Sequence, residues 1–244
     1  LKDEDYINNN YLVMCTVNGT IKKTTLEAFS RPRQAGIIAI TINEGDHLLD
    51  VKMTSGSDQI IIATYKGRAV RFPEETVRPM GRTAAGVRGV TLAGEEDRVV
   101  GLVCVNDPTK NLLVVSEKGY GKRSEIEDYR VTNRGTKGVL TLNITDKTGN
   151  VVGILDVDDS NDLMIINKSG IMIRTSVSEL RVMGRNTQGV RLIRLNEDDE
   201  ISSIAKIDIE EEIPSVADPN LEAGDGEAGA ESTDSTNPEN PTDQ

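Results

Sequence analysis

The segment from Arg130 to Val139, RVTNRGTKGV, holds three cations, two glycines and no acid. Arginine and lysine offer charged donors to an anion, and glycine lets the main chain come close and turn its N–H groups outward. Residues of these types in this spacing point to the gripping of phosphate. The pattern recurs along the chain. Counted from the turn glycines Gly19, Gly67, Gly119 and Gly170, the fourth residue onward is Lys23, Arg71, Arg123 and Arg174. Eleven onward stand Arg78, Arg130 and Arg181, and fifteen onward Arg82, Arg134 and Arg185. In the first unit, whose loop is two residues shorter, Arg31 and Arg33 fill these roles. Lys22, Arg68, Arg88, Lys122, Lys137 and Arg191 lie in the same turns, strands and loops and complete the expected contacts to a polyanion. In a single loop, solvation is the commoner fate of such cations. Fourfold recurrence beside glycine favours a ligand.

The elements that must position them form a repeat of about fifty residues. Each unit opens with an apolar run, an X-Gly turn and a basic strand: YLVMCTVNGTIKKT, QIIIATYKGRAVRF, NLLVVSEKGYGKRS and DLMIINKSGIMIRT. The turn glycines are 48, 52 and 51 residues apart. An acid-containing bend follows, then the cationic loop (RPRQAGI, RPMGRTAAGV, RVTNRGTKGV, RVMGRNTQGV), an apolar strand (IIAITI, RGVTLA, VLTLNI, RLIRLN), an acidic turn and a last strand. Short Val/Ile/Leu/Thr-rich runs bounded by turn residues predict strands throughout, with no sustained helical period. The fold class is therefore all-β. The expected architecture is propeller-like, with four-stranded blades, four repeats (about 11–56, 57–108, 109–160 and 161–207) and an acidic tail. A sheet of this kind buries both faces only by stacking on its neighbours, so an isolated set of four is expected to leave a sheet edge exposed. In a ring, one offset becomes one height on the rim, and the cations form a belt.

Net charge conceals that belt. The chain carries 28 Lys+Arg against 40 Asp+Glu, a formal −12. Twelve of the acids lie between Asp208 and Gln244, where there is no cation, so the remaining acids balance the cations of residues 1–207. The tail is rich in Gly, Pro, Ser and Thr and poor in large apolar residues, and is expected to be disordered. Beside a basic belt, it is positioned to compete with a polyanion. Cys15 and Cys104 lie far apart in apolar runs and read as core thiols of a reducing cytosol. No apolar run approaches a membrane span, so no membrane partner is expected. His47, in EGDHL, and the acid clusters EED, DVDDSND and NEDDE read as solvated turns. The chain holds no GxSxG, Walker A or HExxH sequence, no metal-ligand spacing and no other catalytic constellation.

Aromatic residues are 3% of the chain and Trp is absent, which disfavours stacking of single-stranded bases. Arginines on a curved rim suit the duplex backbone, held by charge and shape without reading bases.

The four units resemble the blades of the C-terminal domain of bacterial DNA gyrase A, and that of the related topoisomerase IV is similar. The resemblance covers about residues 6–207 and rests on the KG(x)3R turns with RPMGRTAAGVRG, RVTNRGTKG and RVMGRNTQG. It implies a β-pinwheel that wraps duplex DNA and supports ATP-dependent negative supercoiling by a whole enzyme in the cytoplasm. The implied partners are gyrase B and the N-terminal part of gyrase A, in an A2B2 heterotetramer. ATP and Mg are implied for that enzyme and no cofactor for this chain. The family's QRRGGKG box is matched only in degenerate form by TNRGTKG, Thr132–Gly138. Together with the missing start Met and four units where six are usual, this suggests that two further blades and the catalytic part lie upstream. The family's catalytic tyrosine belongs to that part, and none of Tyr6, Tyr11, Tyr65, Tyr120 or Tyr129 takes its role. Alternatives are a topoisomerase IV domain that binds without strong wrapping, and a propeller scaffold whose belt faces acidic proteins.

Overall fold

The structure, a computed structural model, describes residues 4–196 and 198–208. Apart from Asp208, the expected acidic tail lies outside the described residues. A short helix, α1 (Glu4–Asn8), precedes fifteen strands. The first repeat supplies β1 (Tyr11–Thr16), β2 (Thr20–Thr25) and β3 (Leu48–Thr54); the second, β4 (Gln59–Thr64), β5 (Arg68–Pro73), β6 (Val87–Arg88) and β7 (Val99–Val105). The third supplies β8 (Asn111–Ser116), β9 (Tyr120–Glu125), β10 (Val139–Leu140) and β11 (Val151–Val157); the fourth, β12 (Asn161–Asn167), β13 (Met172–Ser176), β14 (Val190–Arg191) and β15 (Ile201–Asp208). The hairpin turns place Gly19, Gly67, Gly119 and Gly170 at φ between 75 and 87°, a conformation that side-chain-bearing residues adopt at a cost.

The all-β propeller-like architecture stands, but its blades are assembled across repeats. The sheet orders are β3-β1-β2-β6, β10-β5-β4-β7, β11-β8-β9-β14 and β13-β12-β15. The outer strand of each of the first three sheets thus comes from the following repeat. Sequence patterning placed the apolar run after each loop in its own blade. That run instead pairs over two residues with the preceding one, and in the first repeat residues 37–42 form no strand. Period and composition are blind to which blade a strand joins.

Both faces of the inner blades are buried, which is why their first strands read as unbroken apolar runs. In β4, Ile60 and Ile62 pack with Val13, Cys15 and Ile21 of the first blade, whereas Ile61 and Ala63 pack with Leu112 and Val114 of the third. In β8, Leu113 and Val115 turn to Leu163 and Ile165 of the fourth. Alternate residues of a strand point to opposite faces, so one strand serves two cores. Cys15 is buried in the first of these cores, where burial pushes its thiol up to about 12, and Cys104 packs against the same core. Leu49, Leu102, Ile154 and Ile204, from β3, β7, β11 and β15, line one cavity, so the four last strands converge on it.

Candidate nucleic-acid interface

The fourth-residue cations, expected at the rim, are the joints between repeats. Lys23 pairs with the buried Glu74 of the second repeat at 3.1 Å. Arg71 donates through Nη1 to the Ile126 and Tyr129 carbonyls of the third repeat at 2.7 and 3.1 Å. Arg123 donates through Nε to the Leu180 carbonyl of the fourth at 2.6 Å and pairs with Asp159. Lys22 and Lys122 are fully buried. The Lys22 ammonium donates to the Ala39 and Arg82 carbonyls, that of Lys122 to the Gly184 carbonyl at 2.7 Å. Burial lowers both pKa values, that of Lys122 to about 8. These five residues are corrected from phosphate contacts to internal ties: each is buried with its charge spent on a neighbouring loop or carboxylate. Arg174, with no further repeat to hold among the described residues, is exposed and pairs with Asp162 of its own blade at 2.5 Å.

The fifteenth-residue arginines are half-buried and partly structural. Arg134 donates through Nε to the Thr76 carbonyl and through Nη1 to that of Arg88, both at 3.1 Å; Arg185 does the same to Asp128 at 3.1 Å and Leu140 at 3.0 Å. Arg82 is half-buried and its carbonyl accepts from Lys22.

The eleventh-residue arginines stand next to a backbone anchor that recurs at three joints. The residue after each is bridged, in parallel, to the fourth-residue cation of the preceding blade: Pro79 to Lys23, Val131 to Arg71, Val182 to Arg123. The next amide then donates to the same cation's carbonyl, in each case at 2.8 Å: Met80 to Lys23, Thr132 to Arg71 and Met183 to Arg123. Arg78, Arg130 and Arg181 are thereby set at one equivalent position on three joints, and all three are exposed with no acid partner among the described residues. Arg31, Arg33, Arg88, Lys137 and Arg191 are also exposed. The lent strands add a second regularity. Their register sets Arg88 across from Thr20, Arg68 across from Leu140 and Arg191 across from Tyr120, one arginine to each joint.

Residues outside the sequence expectation join this surface. Lys118, Lys147 and Arg194 line a cleft with Tyr120 and Arg191 at the joint of the third and fourth repeats, which Asp198, Asp199 and Glu200 also line. Arg191 donates to the Tyr120 hydroxyl through Nε at 3.2 Å and Nη2 at 2.9 Å, which lowers the tyrosine pKa, and Lys147 lies 5.3 Å from its ring centre. Lys118 had a signal, since Lys66 also precedes its turn glycine. Arg194 and Lys147 had none.

Among the described residues no three His, Cys, Asp or Glu side chains are grouped to hold a metal ion, and no helix is long and apolar enough to cross a membrane.

A strand-exchanged propeller of about fifty-residue repeats, the second to fourth each presenting a cationic loop to its predecessor, defines the class. The profile described as "DNA gyrase C-terminal domain, beta-propeller" matches residues 10–55, 58–106, 110–158 and 161–208, and the chain belongs to this family. It is 45% identical to the DNA gyrase A protein of Salmonella typhimurium over 222 residues, 91% of this chain and 24% of the relative. It is 47% identical to that of Staphylococcus aureus over 208 residues, 85% of this chain and 23% of the relative. The chain thus spans about a quarter of the length of the curated relatives it matches. A solved DNA gyrase A C-terminal domain aligns with a TM-score of 0.73 at 27% identity, covering 84% of this chain and 68% of that one. A C-terminal domain of DNA topoisomerase IV shares the fold, with a TM-score of 0.78 at 24% identity over 84% of this chain and 64% of that one.

Proposed function

We propose that this chain is a duplex-wrapping module of a gyrase A protein. The observation that carries the reading is the anchoring of Arg78, Arg130 and Arg181: three exposed guanidinium groups without acid partners among the described residues, fixed by the same bridge at three successive joints. Duplex DNA offers phosphates at regular spacing, and a row of cations at one rim height meets them without reading bases. Arg31, Arg33, Arg88, Lys137, Arg174 and Arg191 extend the row, and Arg68, Arg82, Arg134 and Arg185 support it from half-buried positions. Bending a short duplex costs several kcal/mol by elastic estimates, roughly 1–6 for a site of 20–30 base pairs, so several contacts must act together. Buried Lys22, Lys23, Arg71, Lys122 and Arg123 contribute by holding the joints rigid, which keeps the exposed groups at fixed separation.

The chain serves, in this reading, within a cytoplasmic A2B2 assembly that the N-terminal part of gyrase A forms with gyrase B. That assembly uses ATP and Mg to introduce negative supercoils, and this module supplies the bent duplex. The acidic segment 208–244 competes with the duplex for the rim through its high local concentration. The test is a duplex of about 150 base pairs, one persistence length, labelled at both ends. Energy transfer between the ends should rise on binding. Binding without a rise would leave attachment without wrapping, and absence of binding would remove the reading in favour of a scaffold for acidic proteins.

A further inference from the structure

Each rim arginine is followed in the chain by an exposed apolar residue. Pro79 follows Arg78, Val131 follows Arg130 and Val182 follows Arg181; the first loop keeps the order in Arg31 and Pro32. Pro79, Val131 and Val182 are themselves the residues bridged to Lys23, Arg71 and Arg123, and the amide after each is tied to the same partner at 2.8 Å. The anchor that sets the arginines therefore also holds these side chains at the surface, where Val131 is 48% exposed and Val182 47%. Single exposed valines are ordinary on a protein surface. These are not scattered. Outside residues 1–56 and the turn of Ile171 and Met172, the large apolar side chains left exposed among the described residues are Val131, Val182 and Val190, and Val190 stands beside Arg191. Pro79, Val131 and Val182 lie at joints whose two repeats are both present, so no free end accounts for their exposure.

Consecutive Cα atoms are about 3.8 Å apart, so each apolar group stands one residue from a guanidinium. Along a duplex backbone the neighbour of every phosphate is a sugar. Deoxyribose offers an apolar methylene at C2′, whereas ribose carries a hydroxyl there that both donates and accepts hydrogen bonds. Proline and valine have no polar side-chain atom. They can cover the methylene and cannot partner the hydroxyl.

We propose that Pro79, Val131 and Val182 rest on the sugars beside the phosphates met by Arg78, Arg130 and Arg181, and make the rim selective for deoxyribose over ribose. The inference rests on the duplex-wrapping reading and adds to it a basis for choosing DNA. Phosphate contacts carry no such choice, because DNA and RNA duplexes bear the same charge on each phosphate. A hydroxyl pressed against an apolar group without a partner weakens binding by on the order of tenfold.

The test is equilibrium binding of the full chain to DNA and RNA duplexes of one sequence, repeated with Val131→Thr/Val182→Thr and Val131→Ile/Val182→Ile. Threonine keeps the shape of valine and supplies a partner for a hydroxyl; isoleucine keeps the apolar surface. Wild type should bind DNA about tenfold tighter than RNA or more. The threonine variant should lower that ratio about threefold or more, at an unchanged salt slope, since no cation is altered. The unchanged slope also shows that the arginine row is intact and the variant folded. The isoleucine variant should keep the wild-type ratio. Differences of shape and stiffness between the two duplexes are common to all three proteins, so the comparison between proteins isolates the side chains. Equal ratios in all three proteins, equal loss in both variants, or a wild type that binds DNA and RNA alike would overturn the proposal and leave wrapping standing. Failure of wild type to bind duplex DNA would overturn both.

Discussion

Arg185 reaches from the loop of the fourth repeat to the carbonyl of Leu140, 3.0 Å away, in the strand that the third repeat lends to the second. Its Nε donates at the same time to the Asp128 carbonyl of the third repeat. One guanidinium thus ties the fourth repeat to two segments of the third, one of them paired in the sheet of the second. Removing it strips charge-assisted donors from the half-buried Leu140 carbonyl and from that of the exposed Asp128, and hydrogen bonds to charged groups contribute about 1.5–3 kcal/mol each, of which water replaces a part at the exposed carbonyl. Arg185→Ala should destabilise the fold by about 2 kcal/mol, read as a lower urea midpoint at unchanged slope. Arg185→Lys should recover only part of this, since an ammonium lacks the planar fork that spans both acceptors. An unchanged midpoint in Arg185→Ala would show that the tie is idle.

The joints are also set by glycine. Gly138→Ala places a methyl group 2.2 Å from the Ala69 carbonyl oxygen at φ 70°, whereas Gly36→Ala meets nothing within 4 Å at φ 80°. Backbone strain is common to the two, of order 1–2 kcal/mol. The collision is not. Gly138→Ala should therefore lower the thermal midpoint well beyond Gly36→Ala; equal shifts would mean that the strand exchange contributes nothing to stability.

Burial of Lys122 gives the fold a pH dependence of definite sign. Its folded pKa, about 8, lies below the ordinary lysine value, so between these two pH values the unfolded chain binds more protons than the folded one. The penalty for burying the charge is complete below pH 8 and fades as pH rises through about 8 towards about 10.4. Wild type should gain stability over that window relative to Lys122→Met, which has no such proton to lose. Urea midpoints for the two proteins from about pH 7 to about 10.5 check this by difference, which cancels the other titrating groups. Parallel curves would contradict it.

The repeat, its turn glycines, the two-faced apolar strands and the recurring cations were all legible in sequence, because each follows from local pattern. What recurrence could not reveal was purpose. In a ring, a cation that ties repeat to repeat recurs as faithfully as one that meets a ligand, and Arg71 and Arg123 proved to be ties. Part of this was available from strand geometry: Lys22 and Lys23 are consecutive in β2 and must point to opposite faces, so one rim could not hold both. The exchange of strands left no local mark, since a two-residue segment such as Val139–Leu140 has the same composition whichever blade it joins. The cleft around Tyr120 was hidden because Lys147 and Arg194 come from turns far apart in sequence, brought together only by the joint.

The most direct test of duplex wrapping by an arginine row is the salt dependence of binding to a long duplex, measured for the full chain and for Arg78→Ala/Arg130→Ala/Arg181→Ala. If the nine exposed cations expected from sequence each meet a phosphate, the slope of log K against log salt should be about −8, from roughly 0.9 per contact. Losing three contacts should bring the variant to about −5 and weaken binding alike on every duplex sequence. A variant whose slope and affinity match wild type would contradict the role assigned to these three arginines, and with it the reading of the rim as a duplex-wrapping surface.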